Sequence, residues 1–106
     1  MQKAYVYQKG RFAGILLQTE EGYLFQYDET YLNRPDAIPV SLSLPLQARA
    51  YHSHSLFPFF EGLIPEGYLL EVALQTFKLQ PYDHFSILLA CGQDVVGSVS
   101  ILKEKV

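Results

Sequence analysis

His52 and His54 stand two residues apart, a spacing that lets both imidazoles share one side of an extended segment and makes a bound metal conceivable. A metal centre needs a third and usually a fourth ligand, and no companion His or Cys motif stands nearby. Two solvated loop histidines are the plainer reading. Glu61 and Glu66 flank a turn, and paired carboxylates do acid–base work only where a pocket holds them. Glu66 is more simply a first-turn residue of the helix that follows, where its charge meets the helix dipole. Glu61 has no such ready assignment. Gly62 with Gly67, and Gly92 with Gly97, superficially resemble phosphate loops. Neither pair precedes Lys-Ser or Lys-Thr, and neither opens a helix from a strand, so turn or close-packing glycines are expected.

The remaining nucleophiles and bases read in the same way. Cys91 precedes Gly92 at a helix end, where the dipole is negative and discourages a thiolate, so a core thiol is expected. Ser41 and Ser43 lack a G-x-S-x-G setting. His84 follows Asp83, a residue placed to cap a helix, and is expected at the cap or the core edge. What is left is contact chemistry. The stretch Leu63, Ile64, Pro65 and Tyr68, with Glu61 and Glu66 beside it, forms an apolar-tipped acidic turn suited to a basic or grooved partner if it points outward. If it points inward, it is a core plug.

That turn lies in LFPFFEGLIPEGY, residues 56–68, which joins an aromatic clump (Phe57, Phe59, Phe60) to a Gly- and Pro-rich bend. Before it the chain reads as strands. Ala4–Tyr7, Phe12–Thr19 and Tyr23–Tyr27 are separated by tight turns and predict an antiparallel meander, with Tyr23, Phe25 and Tyr27 on one face. One helical turn is expected around Thr30–Leu32. Val40, Leu42 and Leu44 alternate with Ser41 and Ser43 and predict a fourth strand at 40–44; residues 47–55 read as an exposed connection. After the pivot, Leu70, Ala73, Leu74 and Phe77 give a helical period over 66–79, with Leu69 and Val72 widening the apolar stripe. A second helix, His84–Cys91, is apolar nearly all round and ends at Gly92. Val95–Leu102 returns as a strand. The expectation is one α+β domain over 1–106, an antiparallel sheet of about five strands with two main helices packed on it.

The totals bound the function classes. With 106 residues the chain holds one modest core. Hydrophobic residues are 49% and charged residues 18%, which leaves more apolar surface than a small sphere hides easily and favours a partner surface. The net charge of −3 and the lack of a basic stripe argue against direct nucleic-acid binding. One cysteine excludes an internal disulfide and suits a reducing compartment. The N-terminus lacks the pattern of a signal peptide, and no apolar run approaches ~18 residues. A cytoplasmic protein without membrane contact, metal or cofactor is expected.

SLSLPL at 41–46, FFEGLIPEG at 59–67, and the array Asp83, Phe85, Leu88, Gly92, Asp94 and Gly97 resemble, in order and separation, the N-terminal subdomain of HipA-type toxin kinases. The likeness covers nearly the whole chain. Nothing in it resembles a Gly-rich ATP loop, a catalytic-loop Asp with its Asn, or a metal-binding Asp-Phe-Gly, so kinase activity is not carried over and no enzyme is expected. The resemblance implies a detached subdomain, as in the three-gene HipBST toxin–antitoxin systems. There the HipS antitoxin binds the shortened kinase HipT, and HipB supplies DNA binding. The implied partners are a HipT-like serine/threonine kinase and, in a ternary complex, a HipB-like protein. Glu61, Leu63, Ile64, Pro65, Glu66 and Tyr68 are the expected partner-binding residues, presented near the kinase cleft. A non-inhibitory scaffold or folding partner is the alternative.

Overall fold

The computed structural model describes residues 2–92 and 98–105. Five strands form one antiparallel sheet in the order β4-β3-β2-β1-β5. The meander occupies its centre: β1 (Gln2–Gln8), β2 (Arg11–Thr19) and β3 (Gly22–Tyr27). The edges are β4 (Tyr51–Ser53) and β5 (Val99–Leu102). The expected residues 95–97 of the last strand, Gly97 among them, and Asp94 lie outside the described residues.

Alternation assigns the faces, since successive side chains of a strand point to opposite sides. Ala4, Val6, Leu16, Phe25, Tyr27, Val99 and Ile101 are buried on the inner face. The register keeps these residues opposite one another: Ala4 faces Leu16, Leu16 faces Phe25, and Val6 faces Ile101. Tyr23, Phe25 and Tyr27 share this face as expected. A bulge interrupts the β1–β2 ladder, where Val6 pairs with Gly14 and Tyr7 with Phe12, leaving Ala13 as the extra residue. Gly14 is required there, because a Cβ would lie 2.5 Å from the Gln26 carbonyl oxygen.

Four helices complete the described chain. α1 (Glu29–Leu32) is the expected single turn, capped by Asp28, whose carboxylate accepts from the Tyr31 N–H. α2 (Pro58–Glu61) starts with proline at its first position, where no N–H is needed, and buries Phe60 against Phe25 with ring centroids 5.5 Å apart. α4 (His84–Cys91) lies across the inner face and buries Phe85, Ile87 and Leu88. Its predicted cap is present: Asp83 accepts from the Ser86 N–H and from the Ser86 hydroxyl. At its far end Gly92 allows close approach, since a Cβ would meet that of Ile101 at 2.8 Å. Burial pushes the Cys91 thiol up from its ordinary value, in keeping with an inert, half-buried cysteine.

The fourth strand is not where the alternation placed it. Residues 40–44 form a tight bend closed by a single Ser41–Leu44 bridge. The buried Tyr27 hydroxyl pins both of its ends, accepting from the Val40 N–H at 3.0 Å and donating to the Leu44 carbonyl. Val40 and Leu44 are therefore buried, while Leu42 at the tip is 95% exposed. The edge strand falls instead within the expected connection, at Tyr51–Ser53. Gly22 admits it, because a Cβ at that position would sit 2.2 Å from the Ser53 carbonyl oxygen.

Candidate partner-binding site

α3 (Gly67–Phe77) carries the least covered apolar surface of the described chain. Glu66 precedes it in extended conformation, and Gly67 takes the positive φ of 58° that the entry bend requires. The helix ends at Lys78 in the left-handed region, where the Lys78 N–H bonds the Leu74 carbonyl. The expected stripe packs only in part. Ala73 is buried, Leu70 and Leu74 are half-buried, and Phe77 is half-exposed. The helix rests chiefly on α4, so its stripe meets that helix more than the sheet.

The other side of α3 meets solvent. Tyr68 is 77% exposed and Leu69 is 67% exposed, with Val72 one turn further along. Residues three and four apart share a helix face, so Tyr68, Leu69 and Val72 make one apolar strip. Tyr68 was expected in the contact surface; Leu69 and Val72 were legible only as a widening of the apolar stripe.

The turn before α3 is held from two directions. Ile64 and Leu63 pack against the buried core while staying partly accessible, so the apolar tip leans inward. The Leu63 and Ile64 N–H groups bond the carbonyls of Phe60 and Glu61 and continue the tight winding of α2. Glu61 reaches across to α4, its Oε1 2.7 Å from His84 Nδ1, an ion pair when His84 carries a proton. Both side chains are close to half-exposed, so the pair fixes geometry more than it stabilises. A shallow concavity of about 170 Å³ lies here, lined by Glu61, Ile64, Pro65, Glu66, Leu70 and His84 among others. Glu66 is exposed and makes no side-chain capping bond to the helix it precedes. Its carboxylate is available at the rim.

The six expected contact residues therefore divide. Tyr68 and Glu66 face solvent, Leu63, Ile64 and Pro65 are half-buried, and Glu61 is engaged with His84. No sequence signal pointed to that last contact, which joins residues 23 positions apart. The two histidines, His52 in β4 and His54 just after it, line one shallow concavity of about 170 Å³ beside Thr19, Glu21 and Tyr23. His52 pairs across the β3–β4 ladder with Leu24, while His54 Nδ1 lies 3.2 Å from the Glu21 carbonyl oxygen. Among the described residues no group of three His, Cys, Asp or Glu side chains is arranged to hold a metal.

Comparison with known proteins agrees with this architecture. The family described as the HipA N-terminal domain matches residues 4–102. An uncharacterized protein of Haemophilus influenzae is 36% identical over 100 residues, spanning 94% of this chain and 91% of that protein. A putative kinase of Sinorhizobium fredii, Y4mE, is 34% identical over 100 residues, spanning 93% of this chain. The chain covers 24% of that kinase's length, so the match reaches one part of it only. Among solved structures, an N-terminal domain of HipA toxin superposes with a TM-score of 0.74 at 32% identity, covering 99% of this chain and 94% of that one. The match along nearly the whole length, in both sequence and fold, leads to one conclusion: this chain belongs to the HipA N-terminal domain family.

Proposed function

We propose that this protein binds a companion HipA-family serine/threonine kinase and neutralises it, in the manner of a HipS-type antitoxin. The observation that carries this reading is the open strip Tyr68, Leu69 and Val72 beside the acidic turn. A domain that docks on a kinase body keeps apolar surface that a self-sufficient monomer would hide. The Haemophilus influenzae relative consists of little beyond this domain, whereas the putative kinase is about four times as long, which supports a domain acting in trans on a kinase.

In this reading Tyr68 is the anchor, because an exposed ring with a polar tip loses little entropy on burial and fills a pocket well. Leu69 and Val72 extend the contact, and Glu66 meets a basic group at the rim. Leu63 and Ile64 tie the turn to the core, and the Glu61–His84 pair sets the angle of the turn. Docked near the kinase cleft, the turn blocks the approach of substrate or nucleotide. The protein itself performs no catalysis and uses no cofactor. A HipB-like subunit supplies DNA binding in the ternary complex, in keeping with the net charge of −3 on this chain. We place the complex in the cytoplasm. Among the described residues no helix is long and apolar enough to cross a membrane.

A scaffold that binds the kinase without inhibiting it is the second reading. The inward lean of Leu63 and Ile64 favours it, because a helix side makes a broader and blunter contact than a projecting tip. Autophosphorylation of the companion kinase with labelled ATP, across a titration of this protein, separates the two. Activity lost in step with complex formation on size-exclusion chromatography is expected. A stable complex with undiminished activity would leave the scaffold, and no complex would end both readings.

A further inference from the structure

An antiparallel sheet with one face in water ordinarily alternates apolar residues inward with polar residues outward. This sheet does not. The helices and the buried core lie on the inner side, yet the outward positions of the three central strands include Tyr5, Phe12, Ile15, Leu17 and Leu24. They are partly accessible, and a shallow depression of about 270 Å³ opens among Phe12, Ile15, Leu17 and Leu24. Lys105 passes over the Phe12 ring at 4.5 Å and covers one edge. Tyr7, outward on β1, is buried with its ring 5.7 Å from that of Phe12, whereas Ile15, Leu17 and Leu24 stay partly accessible.

The charges around the depression identify what fits it. Lys3 lies at one end, on the residue that pairs with Leu17. Asp28 and Glu29 lie at the other, where the Asp28 N–H bonds the Ala13 carbonyl. Four residues of strand separate those two ends, roughly 13 Å at ~3.3 Å per residue. A two-fold axis lying between two facing sheets, and bisecting the line from Lys3 to Glu29, sets each lysine over the opposite acidic end and brings the apolar centres together. Such self-complementarity is what an isologous dimer needs. We propose that the outer sheet face is a homodimer interface, with a second copy of this chain as its occupant.

The geometry also sets the strength. Five strands ~4.8 Å apart and about six residues long present roughly 500 Å² per copy, below the ~800 Å² per partner of a standard stable complex. The dimer is therefore weak and reversible, with a Kd in the micromolar range. The exposed strip Tyr68, Leu69 and Val72 is no part of this depression, so one dimer presents two such strips. This inference does not depend on the kinase reading.

Sedimentation equilibrium of the protein alone, from about 1 to about 300 µM, tests it. A reversible monomer–dimer equilibrium is expected. Leu24→Glu should abolish it, Leu69→Glu on α3 should leave it unchanged, and Lys3→Glu should weaken it roughly 5-fold, counting the pair twice. Adding Glu29→Lys to Lys3→Glu should restore the wild-type Kd, a readout that a merely misfolded variant does not give. A monomer throughout the range, a dimer lost through Leu69→Glu, or no rescue by the double charge reversal would overturn the proposal.

Discussion

His84 Nδ1 lies 2.7 Å from Glu61 Oε1, joining the end of α2 to the start of α4 across the base of the turn that leads into α3. Because both side chains are near half-exposed, removing either should cost stability by less than ~1 kcal/mol. The effect belongs instead to the order of the turn. Glu61→Gln and His84→Ala should each speed hydrogen exchange at the amides of Leu63 and Ile64, and the double variant should add little to either. Unchanged exchange in both single variants would show that packing of Ile64 alone holds the turn.

Tyr27 is the hub of the 40–44 bend. Its hydroxyl accepts from the Val40 N–H and donates to the Leu44 carbonyl, all within a buried site. Tyr27→Phe keeps the ring but strands two backbone groups, so a loss of about 1–3 kcal/mol is expected from urea unfolding. Leu42→Ala, at the exposed tip of the same bend, should fall within ~0.5 kcal/mol of wild type.

The pH dependence of stability has two flanks with opposite causes. Burial pushes the Tyr27 phenol up to about 12 from its ordinary 10.0. A raised folded value means that the folded state holds its proton longer, so this contribution is complete below pH 10.0 and is lost as pH rises to about 12. On the acid side, the Arg11 guanidinium bonded to Asp36 holds its carboxyl below the usual 3.8, with Arg34 assisting. That contribution is present above pH 3.8 and is lost as pH falls through the lowered folded value. Tyr27→Phe should flatten the alkaline flank of the denaturation midpoint, and Arg11→Gln the acid flank; the reverse assignment would refute these causes.

Tyr68 and Leu69 touch little of their own domain, so their truncation separates binding from folding. Tyr68→Ala and Leu69→Ala should each leave the unfolding midpoint nearly unchanged. Each should weaken kinase binding by ~10-fold or more in titration calorimetry, as removal of an interface anchor does. Ala73→Leu would not serve, since Ala73 is buried and a larger side chain there would disturb the packing of α3.

The parts of the fold legible in the sequence are those set by local pattern. The meander follows from β-type runs set between tight turn signals, and α4 from Asp83 before and Gly92 after an apolar run. The fourth strand was misplaced because Val40, Leu42 and Leu44 alternate equally well in a strand and in a wide bend. What decides between them is the Tyr27 hydroxyl, 13 residues from Val40 in sequence. β4 is only three residues long and depends on a glycine in another strand for its approach, so no local period marks it. At the candidate site, period alone placed an apolar stripe on α3 but could not say which part of it a neighbour covers. The pairing of Glu61 with His84 arises only from the crossing of α2 and α4.

The central claim is that the turn and α3 form the surface that meets a kinase. Hydrogen exchange of this protein, free and in complex with its companion HipA-family kinase, tests that claim residue by residue. Protection concentrated over residues 61–72 is the expected result. Protection confined to the outer sheet face or the 40–44 bend, with 61–72 unchanged, would contradict it.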